Sequence, residues 1–243
     1  MKRHVFTLAP FPSGTTWSIR APALVHQIVR VLKLRIGEEI ALVDGAGERV
    51  EGEIVGYSER SVEIRVQETR KEPVSRVVPA SHIRTYVCAA ILKKDHFEWL
   101  TEKLAELGVS DLFPLVTART IKKEVRLDRL ETIAREAMEQ SEQARAMTIH
   151  APVDIMGAVR TLTRSGVKAV VADTGKNLKT LSDALKHTQA TAVFVGPEGG
   201  WSDEERAFFT NECAYPLVTI GSSILKGETA GIVVGYELCK DRN

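Results

Sequence analysis

The residues best able to build a ligand site lie close to the C-terminus. Phe194-Val195-Gly196-Pro197-Glu198-Gly199-Gly200-Trp201 is rich in glycine and carries one carboxylate. A second stretch, Ile220-Gly221-Ser222-Ser223-Ile224-Leu225-Lys226-Gly227-Glu228-Thr229-Ala230, follows soon after. Each comes after a short β-type run, residues 191–195 and 216–220, and each leads into a helical pattern. Glycine there lets backbone amides approach a ligand closely, and loops at the carboxyl ends of strands in an α/β sheet are where ligands sit. A helix N-terminus favours anions, but Glu198 already brings negative charge to the first loop and makes a bound phosphate less attractive. Amides, one carboxylate and the apolar Ile220, Ile224 and Leu225 suit a neutral heteroaromatic group such as adenine. Glycine turns before helices also occur in α/β proteins without ligands, so the motif alone is weak.

Other chemistries lose support residue by residue. Asp173-Thr174-Gly175-Lys176 follows a strand, but Val170 stands where a P-loop needs its first glycine and Asn177 where it needs Ser or Thr. Neither glycine stretch matches G-x-G-x-x-G, and no G-x-S-x-G elbow or H-E-x-x-H motif is present. The histidines at 4, 26, 82, 96, 150 and 187 are scattered, which speaks against a metal centre. Cys88, Cys213 and Cys239 share no ligand-like spacing and suggest neither a disulfide framework nor a zinc site; they read as small core residues of a protein in a reducing cytoplasm.

The elements that must position the glycine stretches fall into two regimes. Residues 1–72 read as a small β-rich domain, with strands at 39–43, 50–55 and 61–66, turn chemistry in Asp44-Gly45-Ala46-Gly47 and a short helix over 23–34. The polar residues 68–76, with Pro73, look like a linker. Residues 73–243 alternate strand and helix. Strands are predicted at 86–92, 112–116, 167–172, 191–195 and 216–220, with one helix ending at Gly108 and a long one carrying Leu127, Leu130, Ile133, Ala134, Ala137 and Met138 on one face. Ser202-Asp203-Glu204-Glu205 is a capping box that starts a helix just after the first glycine loop. This alternation predicts an α/β fold with a mainly parallel sheet covered on both faces.

Composition bounds the partners. With 44% hydrophobic and 27% charged residues, the chain is of ordinary globular type, and neither a membrane-length apolar run nor a signal-peptide core is present. Net charge is only +1, which excludes a global argument for nucleic acid. Its distribution says more: residues 1–37 hold Lys2, Arg3, Arg20, Arg30, Lys33 and Arg35 and no Asp or Glu. Such a segment either neutralises phosphates or forms a solvated face balanced by later acids such as Glu38 and Glu39.

Several stretches taken together resemble one family. His26-Gln27-Ile28-Val29-Arg30-Val31-Leu32-Lys33-Leu34-Arg35-Ile36-Gly37 is similar to the N-terminal PUA-like domain of the RsmE family, within the SPOUT class of RNA methyltransferases. Lys94-Asp95-His96-Phe97-Glu98-Trp99-Leu100 with Lys103-Leu104-Ala105-Glu106-Leu107-Gly108-Val109 resembles that family's first catalytic-domain helix. Arg119, Glu136-Ala137 and Glu139-Gln140-Ser141 follow in the family's order. Gly196-Pro197-Glu198-Gly199-Gly200 and Ile224-Leu225 with Glu228-Thr229-Ala230 complete it.

The resemblance implies a C-terminal SPOUT domain with a deep trefoil knot, a topology that connection rules would otherwise prune, and a small N-terminal β-barrel PUA-like domain. It implies S-adenosylmethionine as cofactor, held by Val195, Gly196, Glu198, Gly199, Gly200, Ile220, Gly221, Ile224 and Leu225, with no metal. It further implies methylation of N3 of a specific uridine in 16S ribosomal RNA, or in the small ribosomal subunit, by a homodimer. Gly231 and Gly235, four apart in the last helix, are expected at the dimer contact, because glycine costs about 1 kcal/mol in a helix and close backbone packing is a reasonable compensation.

Uracil N3 carries a proton that must leave before it can attack, so the site needs a base or cations that stabilise the anion. Lys226, Arg119 and Arg145 are candidates for anion or phosphate contact and Glu228 for a base or orienting group, with Arg145 grouped among the RNA-binding residues. Glu228 could instead stabilise its helix N-terminus, and Arg119 could pair with an acid. The family usually has Arg after Ile-Leu, whereas Lys226 stands here followed by Gly227; lysine keeps the charge but loses the planar fork. The competing readings are a SPOUT ribose 2′-O-methyltransferase and a ribosome-assembly factor that binds RNA without catalysis.

Overall fold

The computed structural model describes residues 4–58, 60–71, 84–93, 95–121 and 123–240. Of these, the residues within Met1–Val74 and Met138–Ala146 form one unit, and those within Ser75–Ala137 and Met147–Asn243 form the other.

In the first unit, β1 (His4–Thr7) and β2 (Thr16–Ile19) precede α1 (Pro22–His26), which continues as a π-helical turn over Gln27–Val31. β3 (Glu39–Val43), β4 (Glu48–Tyr57) and β5 (Val62–Lys71) complete a sheet of order β1-β3-β4-β5-β2, in which only the β1–β3 pair is parallel. β3 is buried on both faces. Ile40 and Leu42 join the core around Phe6, Trp17 and Ile28, while Ala41 and Val43 pack with Val5, Met138 and Ala144. A strand covered on both sides reads as an apolar run rather than an alternation. Between β3 and β4 the Asp44 carboxylate accepts the N–H groups of Ala46 at 2.7 Å and Glu48 at 2.8 Å, which closes the expected turn. The polar residues from Glu68 onward are strand rather than linker as far as Lys71. They pair across to β4, Glu68 with Glu51 and Thr69 with Val50, so ladder hydrogen bonds hold a segment whose composition looks like a loop. Residues 72–76 of the expected linker lie outside the described residues.

In the second unit the elements run β6 (Tyr86–Ala90), α2 (His96–Glu106), β7 (Asp111–Val116), α3 (Leu127–Gln140), β8 (Thr148–Ile149), β9 (Val153–Asp154), α4 (Ile155–Arg164), β10 (Ala169–Ala172), β11 (Lys179–Thr180), α5 (Leu181–Thr188), β12 (Ala192–Val195), α6 (Asp203–Ala207), β13 (Leu217–Thr219) and α7 (Gly227–Cys239). The sheet order is β11-β13-β10-β12-β6-β7-β8, with β9 also on β7, and every pairing is parallel. The expected α/β fold with a parallel sheet is what forms.

Side chains alternate between two cores as the pleat requires. Val87, Ala89, Val193 and Val195 pack with Leu100 and Leu104 of α2 and Val234 and Leu238 of α7. Cys88, Phe113 and Phe194 face the other way, toward Ala158 and Leu162 of α4 and toward Trp201 and Phe209. At the amino end of β7 the buried Asp111 carboxylate accepts both arms of the Arg84 guanidinium at 2.7 Å and meets His150 Nε2 at 2.9 Å. That cluster ties β6, β7 and β8 together at the edge opposite the glycine loops. No helix among the described residues is long and apolar enough to cross a membrane.

Candidate functional site

β12 hands the chain to residues 196–202, which are shaped by what lies beneath them. Gly200 N–H donates to the Pro197 carbonyl at 2.8 Å, and Gly200 sits at φ +68°, where a side chain is strained. Trp201 then turns back under the loop. Its indole is buried, donates to the Ala172 carbonyl at 2.9 Å and lies so close that a Cβ on Gly196 would stand 3.1 Å from the ring. α6 starts at once through the capping box: the Ser202 hydroxyl accepts Glu205 N–H at 3.2 Å, and the Glu205 carboxylate accepts Ser202 N–H at 2.8 Å. Asp173, the acid of the failed P-loop match, is buried against Arg206 of α6 at 3.0 Å.

The second glycine stretch is open. A Cβ on Gly221 would meet nothing within 4 Å, and Ile224 is 84% exposed. Among the described residues the amides of 221–225 donate no hydrogen bond. Lys226 caps α7 in extended conformation, and its exposed ammonium has no ion pair among the described residues. Glu228, in the first turn of α7, is buried, and its carboxylate stands 3.4 Å from His96 Nδ1.

Two further loops reach the same carboxyl edge. After β6, the Lys93 amide donates to the Glu198 carboxylate at 3.2 Å, and Leu92 fills the space that a Cβ on Gly227 would need, 2.7 Å away. After β7, the exposed Arg119 donates from its guanidinium to the Gly199 carbonyl at 2.7 Å, and Ala118 N–H reaches Glu205 at 2.8 Å. Arg119 thus bonds a backbone carbonyl and makes no ion pair among the described residues; the nearby Glu204 carboxyl is held below its ordinary value by hydrogen bonds from its own backbone N–H and Ser202, and the Arg119 charge adds to them. Lys93 and His96 belong to this constellation and were not among the expected site residues. The sequence carries no signal for them beyond lying just after an apolar strand.

The nine expected cofactor residues are brought to one edge, on loops after strands separated only by β10. Val195 is 3% exposed with its side chain in the core, so it can offer only backbone. Arg145 is not part of this edge. It belongs to the first unit, where its guanidinium lies flat on Gly47, 2.6 Å from where a Cβ would stand, and its backbone bridges to Gly45 and Ala46. Arg20, Arg30, Lys33 and Arg35 are exposed on the first unit and their side chains make no ion pair among the described residues; Glu38 accepts the backbone N–H of Arg35 instead. Lys2 and Arg3 lie outside the described residues.

Gly231 and Gly235 require a correction. A Cβ on Gly231 would stand 2.6 Å from Leu100, and one on Gly235 would stand 2.5 Å from Leu104. The glycines seat α7 on α2 of the same chain, not on a second copy. The open side of α7 carries Thr229, Val233 and Tyr236 instead, the last 54% exposed, while Ile232 packs in part on the core.

The carboxyl edge thus offers free amides, apolar side chains, an unpaired cation and a buried carboxylate, with no group of three or more His, Cys, Asp or Glu placed for a metal among the described residues. The RNA methyltransferase domain family matches residues 79–236, and the RNA methyltransferase PUA domain family matches residues 24–67. The Ribosomal RNA small subunit methyltransferase E of Rickettsia conorii is 25% identical over 209 residues, covering 86% of this chain and 83% of that protein. The protein of the same name from Synechocystis sp. is 29% identical over 216 residues, covering 87% and 69%. A crystal structure of the Neisseria gonorrhoeae Ribosomal RNA small subunit methyltransferase E bound to S-adenosyl methionine superposes with a TM-score of 0.81 at 24% identity, over 96% of this chain and 95% of that one. A PUA-like β unit followed by a parallel-sheet methyltransferase unit, matched over both, places the chain in the RsmE family of RNA methyltransferases.

Proposed function

We propose that this protein methylates N3 of a specific uridine in 16S ribosomal RNA, with S-adenosylmethionine as methyl donor. The observation that carries the reading is the convergence of the loops after β6, β7, β12 and β13, which sets the unengaged amides of 221–225 beside Lys226 and Glu228. The residues fit the donor: the space over Gly221 is open, and Ile224 is a large apolar side chain left in water that a bound adenosine would cover. Gly196, Glu198, Gly199 and Gly200 form one wall, and Ile220, Gly221, Ile224 and Leu225 the other. When bound, the donor supplies an electrophilic methyl group on a sulfonium.

The remaining chemistry belongs to the chain. Lys226, exposed and without an ion pair among the described residues, stabilises the negative charge that uracil acquires when N3 loses its proton. Glu228 orients groups at the mouth of α7. Arg119 acts through the Gly199 carbonyl, holding the first glycine loop in place. Arg20, Arg30, Lys33 and Arg35, whose side chains make no ion pair among the described residues, contact phosphates and position the RNA without reading its sequence.

A second copy of the chain completes the reading, docked on the open side of α7 through Val233 and Tyr236. The deep knot belongs to it as well. It is supported by the path of the chain, which leaves β13 and returns past β10 to seat α7 against β12 and β6.

The test is incubation of methylation-deficient small subunits with labelled donor, followed by digestion and mass spectrometry. N3-methyluridine at one position is expected. Label on ribose overturns the base assignment, and absence of donor binding by calorimetry favours an assembly factor.

A further inference from the structure

The uracil N3 proton has to go to a group that substrate can touch. Glu228 is poorly placed to take it directly, because its carboxylate is only 8% exposed. Its ion-pair partner among the described residues, His96, is 46% exposed and presents Nδ1 to Oε1 at 3.4 Å. That contact is longer than a well-formed hydrogen bond, and catalytic contacts of this kind tighten when a site closes on its substrate. With Nδ1 turned to the acid, Nε2 of the half-exposed ring has no hydrogen-bond partner among the described residues. His96 opens α2, directly after the turn whose Lys93 amide holds Glu198 of the first glycine loop, while Glu228 opens α7 directly after the second. The pair therefore stands where the two glycine loops meet.

We infer that His96 is the general base that removes the uracil N3 proton, with Glu228 as the positioning residue that fixes its tautomer. This rests on the N3 reading above. Imidazole is the side chain whose proton affinity suits this work near neutral pH, and a carboxylate on the far nitrogen holds the ring in the Nδ1–H tautomer, leaving Nε2 free to accept. The proton passes from N3 to Nε2. The electron pair left on N3 forms the new bond to the methyl carbon, and the pair of the broken sulfur–carbon bond remains on sulfur. The imidazolium then returns its proton to water. The charged groups nearest the pair along the chain are Lys93 and Asp95 before α2 and Lys226 ahead of α7, and the Glu198 carboxylate is held at the Lys93 amide.

The experiment has a ligand-free arm and a kinetic arm. In nitrogen-15 spectra of the ligand-free protein, His96 is expected as the Nδ1–H tautomer, with that preference lost in Glu228→Ala. In single-turnover methylation of small subunits, His96→Gln should slow transfer about 10²–10⁴-fold at neutral pH, recover as pH rises, and leave donor affinity by calorimetry unchanged. His96→Ala should regain rate with added imidazole. A wild-type rate and pH profile in His96→Gln, or a tautomer indifferent to Glu228, overturns the assignment of the base. If the wild-type product is not N3-methyluridine, the underlying reading fails first, and the proposal falls with it.

Discussion

Replacing Gly235 by alanine sets two effects of known size against each other. Alanine is favoured over glycine in a helix interior by about 1 kcal/mol, so the substitution would stabilise α7 if space allowed. Space does not allow it. The new methyl would stand 2.5 Å from Leu104 Cδ2, with Leu107 Cδ1 at 3.3 Å and Val109 Cγ2 at 3.4 Å behind it. Leu104 is wholly buried and cannot swing out to water. Overpacking costs about 1–3 kcal/mol, and an approach this short to a side chain with nowhere to move belongs at the upper end, about 2–3 kcal/mol, so a net loss of about 1–2 kcal/mol is expected once the propensity gain is subtracted. For a chain of this length that lowers the midpoint of thermal unfolding by about 2–8 °C. Urea unfolding followed by circular dichroism measures it directly, with Met156→Ala, at an exposed position of α4, as a control that should cost far less. The loss should also be independent of protein concentration, since Leu104 is supplied by the same chain. A Gly235→Ala protein as stable as wild type, or a loss that fades as concentration rises, would refute the intramolecular seat.

Three shorter predictions follow from the same geometry. Lys226→Ala should leave donor affinity intact by calorimetry and depress methyl transfer, whereas transfer at the wild-type rate removes Lys226 from the mechanism. Arg119→Ala should weaken donor binding several-fold through loss of its bond to the Gly199 carbonyl, an effect kept small by its exposure; unchanged affinity would show that the loop holds without it. Burial raises the Asp111 pKa, but hydrogen bonds from His150 and Arg84 and their charges outweigh it, so the carboxyl is held below its ordinary value. Its contribution to stability is complete above the usual carboxylate range and is lost as pH falls through the depressed value. The stability gap between wild type and Asp111→Asn should therefore narrow in acid, and a gap that is constant with pH would contradict this account.

How far the sequence could be read depended on whether a feature's cause was local. The glycine loops, the capping box at Ser202 and the turn at Asp44 were legible because their geometry is set by residues within a few positions. The parallel sheet was legible because strands buried on both faces leave continuous apolar runs. Gly231 and Gly235 signalled close packing correctly, but a spacing names no partner, and α2 of the same chain took the place expected of a second copy. Glu68 and Thr69 looked like linker because their ladder partners on β4 are distant in sequence. β1 and β2 are four residues each, too short to show a period. The roles of Lys93 and His96 are set by Glu198 and Glu228, more than a hundred positions away, and nothing in their own neighbourhood announces them.

Trp201 has one more consequence. Of the three tryptophans, Trp17 lies in the core of the first unit and Trp99 is 45% exposed on α2, while Trp201 is packed under Gly196 and fastened to the Ala172 carbonyl. Its indole is a built-in optical probe of the first glycine loop. With Trp17 and Trp99 replaced by phenylalanine, the emission wavelength and lifetime of the remaining fluorophore would register any rearrangement of that loop in real time, with no label attached to the protein.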